Sequence, residues 1–195
     1  MFGTANSGLV YQQPLVVVEG LTQGTHTLKI TSNGVGSTPN LDVDMITFES
    51  DLQADGLGPL IASIIQDTDS RFQYSSSWNT SPTNVSLFSN GTGHATTTSQ
   101  SSVTLSFTGA AVSIFGSVGP NNGQYQAQLD GVTYPVLNGT SWDTFTQVML
   151  YHANDIGDIP HELVIINQPA ANSAQTALAI DYAVCRDPHF VRKSW

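Results

Sequence analysis

The stretch that decides the fold is HELVIINQPAANSAQTALAIDYAVC, residues 161–185, because its pattern occurs a second time near the start of the chain. The other copy is THTLKITSNGVGSTPNLDVDMITFES, residues 25–50. The aligned pairs are His26 with His161, Leu28 with Leu163, Ile30 with Ile165, Leu41 with Leu178, Val43 with Ile180 and Asp44 with Asp181. A spacing of about 136 residues is far longer than the period of a stacked-repeat protein, so the pattern predicts two copies of a whole domain.

Only the second copy has room for the rest of a domain in front of it. Three strands are too few to close a core alone, so the first copy needs another surface to lie against. We therefore predict the end of an incomplete first sandwich over residues 1–51, a linker over 52–61, a complete sandwich over 62–187 and a polar tail over 188–195.

Alternating apolar residues predict a series of short strands in the second domain. Two runs flank Gly109, and they are Val103, Leu105, Phe107 and then Val112, Ile114, Val118. A third run, Tyr125, Ala127 and Leu129, precedes Asp130-Gly131, the dipeptide of a tight hairpin turn. With FTQVMLYHAND, HELVIIN and LAIDYAVC there are about eight strands, which predicts an all-β fold, an antiparallel two-sheet jelly-roll sandwich.

The entry of this domain is predicted from two apolar groups. Ile61, Ile64 and Ile65 fit a buried first strand. Phe72, Tyr74 and Trp78 share one parity, as residues on one face of a strand do. The polar segment 79–102 shows no such periodicity, and we predict that it is a surface loop.

Four segments together resemble a group of secreted, basidiomycete-type fungal proteins built from galactose-binding-like jelly-roll domains. They are DTDSRFQYSSSW, VTLSFTGAAVSIFGSV, YQAQLDGVTYPV and the closing HELVIIN with LAIDYAV. Members of this group commonly carry two such domains in tandem. The resemblance covers residues 62–187 in full and residues 9–50 as a domain end, so it implies a galactose-binding-like β-sandwich preceded by the last three strands of a second, incomplete copy.

The composition predicts an extracellular or cell-surface protein that does not bind nucleic acid. Charged residues are 10% of the 195 residues and the formal net charge is −10, so hydroxyls and amides cover most of the surface. The chain has no basic stripe of the kind that binds phosphates, so no nucleic-acid partner is expected. The start of the chain is not a signal peptide, and we expect an extracellular or cell-surface protein whose targeting segment lies outside this sequence.

The single cysteine and the hydropathy lead to predictions about disulfide bonding and about membrane spans. Cys185 has no partner for an intrachain disulfide, so it is either a buried thiol or the partner of a cysteine outside this segment. No run of about 18 apolar residues occurs, so no membrane span is expected in this chain.

Aromatic and amide residues form the candidate carbohydrate site. Sugars stack on flat aromatic faces and bond amides and carboxylates through their hydroxyls. The candidates are Trp142, Trp78, Gln126 and Gln128. Trp78 also has the parity of a core residue, and a glutamine stripe also fits a solvated outer face. The predicted function is a non-catalytic carbohydrate-binding or adhesive module whose partner is a glycan or cell-wall polysaccharide.

N-glycosylation sequons occur in the segments predicted as loops. They start at Asn79, Asn84, Asn90 and Asn138. An acceptor asparagine has to be accessible, and loops provide that. Pro82 directly follows the first sequon and handicaps it, so we expect Asn84, Asn90 and Asn138 to carry glycans.

Metal and cofactor sites are not predicted. Asp67 with Asp69, and Asp155 with Asp158, offer oxygens that calcium accepts. Neither pair has the ligand density of a dedicated calcium loop. Acids at such positions are more typical of turns, where they accept backbone N–H groups.

Catalytic residues are not predicted either. His161 is followed by Asp181 on a later strand, which invites a His–Asp pair. The histidine shares the face of its apolar neighbours, whereas the aspartate alternates away from them, so without a bulge the two point to opposite sides. The sequence contains none of the common hydrolase motifs, so we predict a structural histidine and no enzyme.

The apolar strands of the first copy raise a second function. LVVVEG and HTLKI, within residues 9–50, present unpaired edges and an apolar face. If the chain is a natural unit, these strands complete a neighbouring subunit and form a homo-oligomer, filament or matrix. If the chain is part of a longer protein, the missing strands lie upstream. The sequence leaves both alternatives open.

Overall fold

The computed structural model describes residues 15–22, 24–32, 43, 46–47 and 60–188. The chain divides into two compact units, Met1–Leu52 and Gln53–Trp195. Most of the predicted linker, 52–61, and nearly all of the predicted tail, 188–195, lie outside the described residues. All strands among the described residues belong to the second unit.

Short strands build the described part of the second unit. They are β1 (Leu60–Gln66), β2 (Phe72–Tyr74), β3 (His94–Thr96), β4 (Ser102–Thr108), β5 (Ala111–Val118), β6 (Gln124–Leu129), β7 (Val132–Thr133), β8 (Leu137–Asn138), β9 (Phe145–Asn154), β10 (Pro160–Asn167) and β11 (Leu178–Pro188). Two 3-10 turns, Val85–Leu87 and Ser89–Gly91, lie between β2 and β3. No helix in the described part of the chain has both the length and the apolar character needed to cross a membrane.

The strands form two antiparallel sheets. The first sheet has the order β1-β11-β5-β9, and β3 also pairs with β11. The second sheet has the order β2-β4-β10-β6-β7, and β8 also pairs with β6. Consecutive strands β10 and β11 lie in different sheets, so the chain crosses between the sheets as a jelly roll does. The predicted antiparallel jelly-roll β-sandwich is confirmed.

The core is built from alternate residues of the strands. Every second residue of β4 and β6 is buried, and these residues are Val103, Leu105, Phe107, Tyr125, Ala127 and Leu129. Essentially inaccessible side chains from both sheets meet them in one cluster that includes Ile65, Ile114, Leu163, Ile165 and Ile180. Burying one large aliphatic side chain contributes about 1.5–3 kcal/mol, so this cluster is the main force that holds the sheets together.

The predicted hairpin after β6 is confirmed. Asp130 and Gly131 have φ angles of 50° and 80°, both in the left-handed region. β6 and β7 pair directly around them, with Leu129 opposite Val132. A two-residue turn with two positive φ angles matches the twist of the flanking strands, and Asp-Gly tolerates it.

The prediction of a buried first strand is wrong for two of its three isoleucines. Ile65 is completely buried, but Ile61 and Ile64 are 46% and 62% exposed. Adjacent residues of a strand point to opposite faces, so Ile64 and Ile65 cannot share one environment. β1 is also the edge of its sheet, and pairs only with β11.

The prediction that residues 79–102 form a surface loop is also wrong in part. Phe88 is buried, and β3 adds a short strand to the first sheet beside β11. Phe88 packs so closely over Gly93 that a Cβ there would collide with its ring. A single buried aromatic in a polar segment has no periodicity, which is why the sequence pattern does not reveal it.

Cys185 is a buried thiol. It is the chain's one cysteine, on β11, and is 2% exposed within the hydrophobic cluster. Burial raises the pKa of the thiol to about 12. The sequence left open a buried thiol or a disulfide with a cysteine outside this segment, and the burial of the side chain supports the buried thiol.

In the first unit, none of residues 15–22, 24–32, 43 and 46–47 belongs to a strand. Much of the predicted three-strand region, 9–50, lies outside the described residues, so that prediction stays untested. Large apolar side chains among the described residues are exposed, and they include Leu15, Val16, Val17, Val18, Leu21 and Leu28. His26 makes a local contact, with its Nε2 atom 2.7 Å from the carbonyl oxygen of Thr22.

Candidate functional site

The loop between β8 and β9 is held to the body of the sandwich by backbone hydrogen bonds. The N–H group of Gly119 donates to the carbonyl of Gly139 at 3.0 Å, and the N–H group of Ser141 donates to the carbonyl of Gly119 at 3.1 Å. The hydroxyl of Thr140 donates to the carbonyl of Asn122 at 2.7 Å. These contacts fix the backbone on which Trp142 is carried.

Two aromatic side chains project from this loop and from the start of β9. Trp142 is 77% exposed and Phe145 is 42% exposed. Their ring centroids are 5.7 Å apart and the rings meet at 71°, an edge-to-face contact that orients the indole. We call this pair the Trp142 platform. An exposed tryptophan on an anchored loop is the feature that the sequence predicts for sugar stacking.

Polar side chains surround the platform. Asp143 is exposed, and its Oδ1 atom accepts the N–H group of Thr144 at 2.7 Å. Thr146 and Gln147 donate from their side chains to the carbonyl of Leu87 at 3.3 and 3.2 Å. Gln147 has a φ of 57°, unusual for a residue other than glycine, at an irregularity in the pairing of β9 with β5. Sequence reasoning missed Asp143 and Gln147 because nothing in the pattern separates them from other polar loop residues.

Trp78 packs against the core and is not part of the Trp142 platform. Its ring meets the ring of Tyr74 edge-on, with centroids 5.1 Å apart. Its Nε1–H group donates to the carbonyl of Ser102 at 3.0 Å. The indole is half-buried against the hydrophobic cluster, so the core alternative for Trp78 accounts for its position.

Gln126 and Gln128 lie on the outer face of the second sheet. The Gln126 amide donates to the carbonyl of Tyr134 at 2.9 Å. The Gln128 amide donates to the carbonyl of Gly131 at 3.3 Å. None of the hydrogen bonds in residues 60–188 joins either glutamine to residues 139–145. The two glutamines therefore bind their own hairpin and the structure does not bring them together with Trp142.

His161 is buried and contacts the fold through both ring nitrogens. It is 5% exposed, with Nδ1 2.7 Å from Oδ2 of Asp130 and Nε2 3.0 Å from the carbonyl of Gly157. Burial acts to lower the pKa of His161, but the bonds to Gly157 and Asp130 raise it overall. Both ring nitrogens are occupied, so neither is available to a substrate. Its supposed partner Asp181 lies in the other sheet.

Asp181 is buried at a bulge in β11, the exception that the prediction from alternation allowed for. The pairing of β11 with β5 shifts register between Ile180 and Tyr182, and Asp181 is completely buried there. Both of its carboxylate oxygens accept the N–H group of Ser89, at 2.9 and 3.1 Å. A bulge of this kind reverses the alternation that the sequence pattern assumes.

A second buried carboxylate lies next to Asp181. The backbone N–H group of Asp67 donates to the Asp181 carbonyl at 3.1 Å. The Asp67 carboxylate accepts the Thr92 hydroxyl at 2.5 Å and contacts Nδ1 of His94 at 2.7 Å. The His94 ring stacks on Tyr74 with centroids 3.9 Å apart. Sequence reasoning missed this cluster because Thr92 and His94 belong to the segment that it assigned to the surface.

The buried cluster favours the neutral form of Asp181. Burial raises the pKa of Asp181 to about 6, and the negative charge of Asp67 adds to the shift, while the Ser89 N–H group opposes it. Two carboxylates in a common low-dielectric site resist simultaneous ionisation. His94, Tyr74 and Asp67 are the titratable groups that surround the cluster.

The acids considered for calcium do not converge. Asp69 pairs with Arg71 at 2.8 Å and accepts the Arg71 N–H group, as a turn-forming aspartate does. Hydrogen bonding to the Arg71 side chain lowers the pKa of Asp69 to about 2. Asp155 and Gly157 have positive φ angles of 55° and 89° in the turn before β10. Within the described ranges, no group of three or more His, Cys, Asp or Glu side chains is arranged to hold a metal ion.

Comparisons with known proteins support the fold. No family model matches the sequence, and no curated protein matches it either. A two-domain esterase active on acetylated mannans matches over 73% of this chain and 40% of its own, with 11% sequence identity and a TM-score of 0.51. An identity of this size shows a shared fold alone.

Two further solved structures are similar at lower scores. The CBM36-1 domain of a multidomain xylanase from the hindgut metagenome of Trinervitermes trinervoides matches over 67% of this chain and 100% of its own, with 17% identity and a TM-score of 0.44. A family two carbohydrate esterase from Cellvibrio japonicus matches over 66% of this chain and 34% of its own, with 12% identity and a TM-score of 0.46. The chain spans less than half the length of both esterases.

Titration of Asp181 links the stability of the fold to pH. Its folded pKa, about 6, is above its ordinary value of 3.8, so its contribution to stability is complete below about pH 4 and is lost as the pH rises through about 6. Asp181→Asn removes the titration and keeps an acceptor for Ser89. In urea unfolding, the free energy of unfolding of the wild type minus that of the variant should fall between about pH 4 and about pH 7.

The control for this measurement is Asp143→Asn, which removes an exposed carboxylate outside the cluster. Its difference from the wild type should not change over the same pH range. A difference for Asp181→Asn that is equally independent of pH would contradict the electrostatic role of the buried pair.

Proposed function

We propose that this chain is a non-catalytic carbohydrate-binding or adhesive module that acts outside the cell or at its surface. The observation that carries the proposal is the Trp142 platform. A folded domain gains nothing by exposing a large indole to water, and contact with the apolar face of a sugar ring recovers that loss. The anchored loop keeps the ring in place, so little conformational freedom is lost on binding.

The surroundings of the platform fit a ligand rich in hydroxyl groups. The Asp143 carboxylate is exposed beside the indole, and the exposed Gln147 amide lies on β9 just after Phe145. Carboxylates and amides bond pairs of sugar hydroxyls, while the aromatic faces supply most of the contact area. The formal net charge of −10 disfavours an acidic polymer, so we propose a neutral glycan or cell-wall polysaccharide as the partner.

The non-catalytic part of the proposal is supported by the geometry of the histidines. Both ring nitrogens of His161 are bonded within the fold. The Ser113 hydroxyl lies 2.9 Å from Nδ1 of His152, an arrangement similar to the nucleophile and base of a hydrolase. Ser113 is 4% exposed, however, and no carboxylate among the described residues is hydrogen-bonded to His152. A buried hydroxyl without an oriented base is a poor nucleophile.

Removal of the Trp142 side chain tests the carbohydrate-binding proposal. Trp142→Ala should lower the affinity for a bound neutral glycan about tenfold or more, because the variant loses the contact between the indole and the apolar face of the sugar. A glycan array that contains mannan, cellulose and β-glucan oligosaccharides identifies the ligand, and isothermal titration of the full chain measures the change. Mannans belong in the panel because the esterase that shares the fold acts on acetylated mannans.

Gln128→Ala is the matched control, since Gln128 lies on the outer face of the second sheet and bonds only its own hairpin. It should bind like the wild type. No bound glycan at millimolar sensitivity would sink the carbohydrate-binding proposal, and unchanged binding by a folded Trp142→Ala variant would remove the platform from it.

We also propose that the chain is a secreted glycoprotein. All four sequon asparagines, Asn79, Asn84, Asn90 and Asn138, are exposed. Asn84 and Asn90 have left-handed backbones at the two 3-10 turns. The Asn138 Oδ1 atom accepts both the N–H group and the hydroxyl of Thr140, at 3.0 and 2.8 Å, so that sequon is already folded into a tight turn.

Glycan occupancy is measurable directly. In chain secreted from a eukaryotic host, mass spectrometry of peptides should find glycans on Asn84, Asn90 and Asn138. Pro82 follows the Asn79 sequon, and Asn79 also forms a bridge with Ala95, so Asn79 should remain unmodified. Secreted chain without a glycan at any of these three positions would contradict the proposal.

A second candidate function is self-assembly through the first unit. The exposed apolar residues of 15–21 favour it, because a run of this kind aggregates unless another surface covers it. In this reading the segment completes a neighbouring subunit and builds a fibre or matrix.

The two candidate functions differ in the size of the purified chain. Light scattering should give a monomer for a binding module and open-ended oligomers for a structural protein. Val17→Lys places a charge in the middle of the apolar run and should reduce the oligomers to monomers. Glu19→Lys is the control that changes charge without removing an apolar side chain. A monomer at all concentrations would exclude the structural role for this chain.

A further inference from the structure

The side of the sandwich next to the Trp142 platform carries an open groove. One wall is the segment that contains β8, with Tyr134 and Leu137. The other wall is the edge strand β9, with Met149, Tyr151 and His152. The groove encloses about 350 Å³, so it is large enough for part of a bound chain.

The groove and the platform are built from the same two segments. Residues 139–145 connect the two walls, and they carry Trp142. Phe145 begins β9, four residues before Met149, with the irregularity at Gln147 between them. A ligand that rests on the platform and follows β9 therefore enters the groove. The two features form one elongated surface.

The lining of the groove is uncharged and mixes aromatic with polar groups. Tyr134 is 36% exposed and Met149 is 51% exposed, so both present apolar surface to the groove. The Nδ1 atom of His152 is 2.9 Å from the Ser113 hydroxyl. Partial burial lowers the pKa of His152, and the charge of Arg186 adds to this shift, which favours the neutral ring. An uncharged lining on a strongly acidic chain fits a neutral polymer and disfavours an anionic one.

One polar group in this wall is a buried hydroxyl. The hydroxyl of Tyr151 is buried and forms no hydrogen bond of good geometry with the residues that the structure describes, although burial and then the nearby Tyr134 side chain raise its pKa. The Tyr134 ring meets the Tyr151 ring edge-on, with centroids 5.6 Å apart. The nearby Tyr125, by contrast, donates its hydroxyl to the carbonyl of Leu150 at 2.8 Å. Unpaired buried hydroxyls are rare because they lose the hydrogen bonds that water supplied.

We propose that this groove is a second subsite, which binds the continuing chain of a linear, uncharged polysaccharide whose neighbouring residue stacks on the Trp142 platform. A sugar hydroxyl that reaches the Tyr151 hydroxyl gives it a well-aligned hydrogen-bond partner. The inference rests on the proposed carbohydrate-binding function and adds to it the ligand class, an extended chain of several sugars in place of a single terminal sugar.

The test compares short and long members of two neutral series, mannobiose with mannopentaose and cellobiose with cellohexaose, by isothermal titration against the full chain. In the series that binds, the longer oligosaccharide should bind at least about tenfold more tightly than the disaccharide, because it reaches both subsites. Tyr134→Ala should lower the affinity for the longer oligosaccharide towards that of the disaccharide. It should leave disaccharide binding on the platform unchanged.

Tyr151→Phe separates a binding role from a structural one. Among the described residues the hydroxyl forms no hydrogen bond of good geometry in the free protein, so its removal should leave the melting temperature nearly unchanged. It should weaken binding of the longer oligosaccharide about three- to tenfold. Tyr125→Phe is the matched control, because that hydroxyl is bonded within the fold; it should lower the melting temperature without changing the relative affinity for the two lengths.

The outcomes distinguish the inference from the function on which it rests. Equal affinity for short and long oligosaccharides, or a Tyr134→Ala variant that binds both like the wild type, would overturn the groove subsite and leave the platform intact. A lower melting temperature for Tyr151→Phe together with unchanged binding would also overturn it. No binding of either series, or of any glycan on the array, would overturn both proposals.

Discussion

The central constraint on this fold is the position of β11 between β1 and β5. It pairs with β1 over its C-terminal part and with β5 along most of its length, and it also pairs with β3. A strand with neighbours on both sides has its backbone groups satisfied, so its core-facing residues can be wholly apolar. Ile180 and Ala183 are completely buried, and Gly116 of β5 lies so close to the Ala179 carbonyl that a Cβ would not fit. The pairing therefore depends on a glycine at that point.

The irregularity in β11 connects the core to the candidate site. It buries Asp181, whose carboxylate holds the Ser89 N–H group. The carbonyl of Leu87, two residues before Ser89, accepts hydrogen bonds from Thr146 and Gln147 at the start of β9. The segment around the two 3-10 turns is thus bonded to the buried acids on one side and to the base of the Trp142 platform on the other. Rigid support of this kind is what a preorganised binding surface requires.

Sequence reasoning was most successful where a residue's environment depends on its immediate neighbours. Alternation in β4 and β6 predicted their buried faces, and Asp130-Gly131 predicted the hairpin. Trp142 was predicted to stack on sugars; it is exposed, and its role stays a prediction. Alternation did not reveal the burial of Asp181, because it cannot show a bulge in β11. It also failed for the segment that contains Phe88 and β3, because one buried aromatic leaves no period.

The sequence by itself determined the class of fold, an antiparallel jelly roll, because residue alternation and turn dipeptides are local properties of the chain. It also determined the acidic, weakly charged surface and the positions of the sequons. Only the tertiary structure decided which side chains meet. It separated Trp78, Gln126 and Gln128 from Trp142, and it brought Tyr134 against Tyr151 at the edge of the sandwich. Contacts between strands distant in sequence depend on sheet order and register, and no short stretch of sequence contains either.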